Sequence, residues 1–78
     1  MSACGDIEAS VRRTLEKYFR DLDGEQPQRL YGMVLQQVEK PMLEVVMRQA
    51  EGNQTLAADM LGINRNTLRR KLRENELL

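Results

Sequence analysis

Between Gln28 and Ala50 the chain carries more apolar surface than one partner helix can cover. Leu30, Tyr31, Met33, Val34, Leu35, Val38, Met42, Leu43, Val45, Val46 and Met47 recur at helical spacing, and a helix apolar on two sides is buried on two sides. The chain has 78 residues, enough for one domain at most. Domains this small usually need a staple: disulfides, a metal or a partner chain. Cys4 is the only cysteine and there is no histidine, which removes the disulfide and leaves a metal site without its usual ligands. The second surface must then come from another copy, so the pattern predicts a homodimer.

The long helix is expected over about 27–50, with Pro27 in its first turn. Pro41 lies inside it and predicts a kink, because proline donates no N–H and its ring crowds the preceding turn. The periodicity runs on across Lys40-Pro41-Met42, which favours one kinked helix over two separate ones. Its three methionines fill core gaps more readily than they bind a cofactor. Upstream, Ile7, Val11, Leu15, Tyr18, Phe19 and Leu22 mark an amphipathic helix over about 7–22. Asp6 is the preferred N-cap, with Ser10 the alternative, and Asp23-Gly24 closes the helix. Tyr18 and Phe19 read as core residues. Residues 1–5 are expected to be disordered, with Cys4 an incidental thiol. Residues 6–52 therefore form a dimerisation unit. No strand pattern or repeat appears, and the fold class is all-α.

The C-terminal third, NQTLAADMLGINRNTLRRKLR from Asn53 to Arg73, has the features of a helix-turn-helix. Gly52 stops the long helix and Asn53 is placed to cap the next, over about 54–61. Ala58 is small where two helices cross. Gly62 tolerates a left-handed turn, and Ile63 is a buried-type residue inside that turn. Asn64 caps a last helix over about 65–74, with fraying expected from Glu74 to Leu78. That helix has Leu68 and Leu72 on one face and Arg65, Arg69, Arg70, Lys71 and Arg73 around the others. An isolated basic run is usually a solvated face. Here it coincides with a small residue, a glycine and a turn isoleucine, which points to a helix built for the major groove of double-stranded DNA.

Net charge is zero, yet it is unevenly placed: residues 1–63 hold seven basic and ten acidic side chains, residues 64–78 five basic and two acidic. The local field, not the sum, steers a protein to phosphate. Arg65, the first long donor of the last helix, has the reach to read guanine O6 and N7. Asn64 and Thr67 suit a phosphate, a base edge or simple capping. Arg69, Arg70, Lys71 and Arg73 are assigned to phosphates, and Asn53 and Thr55 to one phosphate at the start of the preceding helix. No histidine, purposeful acid pair or glycine-rich phosphate loop suggests an enzyme, and no cofactor or metal is implied. There is no signal peptide and no run near the ~20 apolar residues a membrane span needs, so a cytoplasmic location without membrane contact is expected. A helical protein–protein adaptor is the alternative function.

GNQTLAADMLGINRNTLRRKL closely resembles the C-terminal motif of the factor for inversion stimulation (Fis) family, a module that also ends NtrC-type activators. The likeness continues upstream through QPQRLYGMVLQQVEKPMLEVVMRQAEGN and SVRRTLEKYFRDL, and so covers nearly the whole chain. The resemblance implies a four-helix subunit in an intertwined homodimer. It implies DNA contacts at Asn53, Thr55, Asn64, Arg65, Thr67, Arg69, Arg70 and the basic residues just beyond, with Arg65 the main base reader. It also implies degenerate sites, DNA bending, transcriptional control and organisation of the nucleoid, with the transcription machinery a possible partner. Two departures narrow it. The family's N-terminal hairpin arm, which meets recombinases, has no counterpart here, so recombinase contact is not expected. Glu74 and Glu76 follow Arg73 where the family stays basic, which predicts a weaker grip on flanking DNA and a smaller bend. The starting methionine favours a stand-alone protein over an excised activator domain.

Overall fold

The computed structural model describes residues 3–78, the side chains of Ala3 and Cys4 excepted. Met1 and Ser2, part of the segment expected to be disordered, lie outside the described residues, as does the Cys4 thiol. Four helices follow one another: α1 (Ala3–Leu22), α2 (Leu30–Gln49), α3 (Gln54–Leu61) and α4 (Arg65–Glu74). Among the described residues there is no strand, and the fold is all-α.

Two helix starts differ from the sequence reading. α1 begins at Ala3, so Ala3–Gly5 are helical and Asp6 sits within the first turn and does not cap it. An acid there still faces the positive end of the helix dipole. α2 begins at Leu30 because Arg29 adopts a left-handed conformation, φ 56°, which no helical path can pass through. Pro27 is thereby left in the connector. The Arg29 side chain makes no capping hydrogen bond; its carbonyl accepts from the Met33 N–H at 3.1 Å and opens the helix. From there α2 runs unbroken through Pro41.

Three of the helices end in the same way. Gly52 N–H reaches the Met47 carbonyl at 2.9 Å, Ile63 N–H the Ala58 carbonyl at 3.1 Å, and Leu77 N–H the Leu72 carbonyl at 2.8 Å. Each bond spans five residues and closes orphan carbonyls of the last turn, the Schellman arrangement. The residue that makes the turn possible is left-handed each time: Gly62 and, less comfortably for a side chain, Glu51 at φ 55° and Glu76 at φ 58°. The last of these corrects the fraying expected beyond Arg73. Leu77 packs against the core and Asn75 is buried, so the chain end is tied down by apolar contact and a closed hydrogen-bond pattern.

The core is small and lies at one end. Leu43 and Ala50 of α2 and its cap meet Ala57 and Ala58 of α3 and Leu68 and Leu72 of α4, with Val46, Met47, Leu61, Ile63 and Leu77 packed around them. The two adjacent alanines let α3 approach closely enough for both leucines of α4 to be fully covered. The helix-turn-helix is thus seated on the C-terminal half of α2. The rest of α2 and all of α1 contribute no other buried residue among the described side chains. Tyr18 and Phe19 stack edge to face at 6.0 Å, yet Phe19 remains half exposed. A groove of about 580 Å³ between α1 and α2 is walled by Ile7, Val11, Val38, Met42, Val45 and Val46. The Cα radius of gyration is 15.1 Å, against roughly 11.5 Å for a compact domain of this length. No helix among the described residues is long and apolar enough to cross a membrane.

Candidate nucleic-acid interface

The interface builds up from two caps. Asn53 Oδ1 accepts from the Leu56 N–H at 3.1 Å, and Asn64 Oδ1 accepts from the Asn66 N–H at 2.7 Å. Each satisfies one of the orphan donors at a helix start. Capping occupies only the side-chain oxygen. The amide NH2 of each asparagine is a separate donor that the cap does not use, and both residues are exposed, so capping and ligand contact are compatible at these positions.

α4 stands on Leu68 and Leu72 and turns its remaining faces to solvent. Arg65, Asn66, Arg70 and Arg73 are exposed, Thr67 and Arg69 half-buried. Over ten residues the helix extends ~15 Å. Thr55 is exposed in the first turn of α3. The cations differ in what holds them. Arg65 and Arg73 have no ion pair among the described residues. Arg70 approaches Glu74 at 3.8 Å, a long contact between two exposed side chains that contributes little in water. Arg69 donates to Gln54 Oε1 at 3.1 Å, crossing from α4 to the first residue of α3. Lys71 Nζ donates to Glu39 Oε2 of α2 at 2.9 Å.

Three of these residues were not singled out from sequence: Glu39, Gln54 and Asn75. Asn75 Nδ2 donates to Glu39 Oε1 at 3.0 Å and to the Lys71 carbonyl at 2.8 Å. The Lys71 hydrogen bond holds the Glu39 carboxyl below the usual glutamate range; partial burial opposes this, while Asn75 and the charges of Lys71 and Arg70 add to it. One signal was present: Glu39 lies four residues before Leu43, on the inward face of α2, where an acid is out of place unless something pairs with it. At the far end of the molecule Lys17 lowers Asp21 in the same way, on the exposed face of α1.

A short helix seated on small residues, a left-handed glycine turn and a capped second helix with an arginine-rich outer face define a helix-turn-helix protein of the all-α class. Residues 34–74 match the family described as bacterial regulatory protein, Fis family, and the chain belongs to that family. A Fis-like DNA-binding protein of Ralstonia nicotianae is 60% identical over 72 residues, covering 92% of this chain and 94% of the relative. One from Neisseria meningitidis serogroup B is 56% identical over 73 residues, covering 94% and 92%. The DNA-binding protein Fis of Glaesserella parasuis is 50% identical over 68 residues, 87% of this chain and 69% of its own.

Proposed function

We propose that this chain is a DNA-binding transcriptional regulator that acts as a homodimer and bends the DNA it grips. The observation that carries the reading is the contrast between the two ends of the molecule. At one end α4 is rigidly seated and its exposed face is cationic, with Arg65 and Arg73 uncommitted. At the other, α1 and α2 expose Ile7, Phe19, Leu35, Val38, Met42 and Val45, an apolar surface a second copy would cover. Two-fold pairing through that surface sets two α4 helices at one spacing on one duplex.

In this reading Arg65 reads a base edge in the major groove. Arg69, Arg70 and Arg73 neutralise phosphates, Asn53 and Thr55 hold a phosphate at the start of α3, and Asn64 and Thr67 contact backbone or base edge. Lys71 is taken up below. Few base contacts per subunit mean tolerance of sequence, with the deformability of the central base pairs supplying selectivity. Such a protein serves in transcriptional control and in organising the nucleoid of a bacterial cytoplasm.

Fluorescence anisotropy of a labelled duplex across a salt series, with sedimentation of the same complex, tests this. Phosphate binding gives log K falling with log[salt] by about 0.9 per contact, and the complex should contain two chains per duplex. A flat salt response, or a one-chain complex, would overturn the reading.

A further inference from the structure

The five cations of α4 are not equivalent. Lys71 alone makes a short ion pair with another helix, and the pair is half withdrawn from water, its side chains 31% and 24% exposed. Both oxygens of Glu39 are occupied: Oε2 by Lys71, Oε1 by Asn75, whose second amide hydrogen returns to the Lys71 carbonyl. Ammonium, carboxylate, amide and backbone thus close a ring. Asn75, its corner residue, is 5% exposed. Leu68 and Leu72 fix how far α4 stands from the core, and Arg69 ties it to α3 through Gln54. The ring adds the polar tie between the C-terminal half of α4 and α2.

We propose that Glu39 is a positioning residue for the DNA-reading helix, and that Lys71 serves binding as the tether to Glu39 and not as a phosphate ligand. The inference rests on the DNA-binding reading above. Swinging Nζ out to a phosphate would strip the carboxylate of its one ion-pair partner among the described residues, at a site between α2 and α4. An unpaired, partly desolvated charge costs more than an exposed lysine–phosphate contact returns. The cations left to engage phosphate are the arginines, of which Arg65, Arg70 and Arg73 are exposed.

Salt-dependent anisotropy of the wild type, Lys71→Met, Glu39→Gln and the double variant separates tether from ligand. Each single variant should bind a specific duplex about three- to tenfold more weakly, on the order of one net hydrogen bond, with the salt slope unchanged. The double variant should fall within about twofold of the weaker single, since one unit is removed either way. A slope flattened by about 0.9 per bound subunit in Lys71→Met would make it a phosphate ligand and refute the proposal. Tighter binding by Glu39→Gln would refute it too, showing the acid to compete with DNA. A flat slope in the wild type would instead remove the DNA reading itself. Should the variants unfold, acetylation of the free wild-type protein decides: Lys71 should react several-fold more slowly than exposed Lys40, and equal rates would sink the tether.

Discussion

Val45 offers the sharpest test of the proposed pairing. It lies on α2, lines the groove against α1 and is 48% exposed. Fully covering a valine-sized side chain stabilises by about 1.5–3 kcal/mol, so the exposed half contributes ~1 kcal/mol when a partner covers it. Val45→Glu removes that and brings a carboxylate into the contact, where an unsatisfied polar group costs a further ~1–3 kcal/mol. A two-fold interface repeats the loss in each copy. The total is about 4 kcal/mol or more, a factor of about a thousand in the dimer dissociation constant. Sedimentation equilibrium of wild type and Val45→Glu over a range of concentrations measures it directly. Circular dichroism serves as the control, because Val45 is outside the α2–α3–α4 core and the helix-turn-helix should stay folded. A dissociation constant within tenfold of wild type, with helicity retained, would refute the assignment of this face to self-association.

Leu68 has no exposed surface, so Leu68→Ala should cost ~2.7–5 kcal/mol through lost burial and the cavity left behind; a thermal melt showing under ~1 kcal/mol would contradict the core described above. Arg65→Ala should weaken a specific site by ~1–3 kcal/mol and relax sequence preference, whereas Arg73→Ala should weaken all duplexes about equally; competition against random DNA distinguishes the two. The Glu39 pKa is depressed in the folded chain from an ordinary value of 4.5. Its contribution to stability is therefore fully present above that value and lost as pH falls through the lower folded pKa. Denaturant titrations of wild type and Glu39→Gln should differ by a constant amount near neutrality and converge in acid; a gap that widened on acidification would reverse the sign.

The sequence was most informative where structure is local. The helical period of Leu68 and Leu72, the left-handed tolerance of Gly62 and the capping chemistry of Asn53 and Asn64 all act within a few residues, and the observed caps follow from them. It was least informative where a single backbone angle or a distant partner decides. Nothing in Pro27-Gln28-Arg29 announces that Arg29 takes a left-handed turn and delays α2. Asn75 and Leu77 looked like a loose end because their partners, Glu39 and Leu72, lie on another helix or close a turn that needs Glu76 at positive φ. Lys71 and Arg73 are indistinguishable as residue types in a basic run. Only the fold shows that one is paired 32 positions away and the other faces water.

Every described side chain of α1 keeps part of its surface wet, so this helix draws little of its free energy from its own chain. In the proposed dimer its order is governed by mass action. Dilution should unravel α1 while α3 and α4 keep their shape, and a cell could tune the amount of competent protein through synthesis rate alone, with no small-molecule effector.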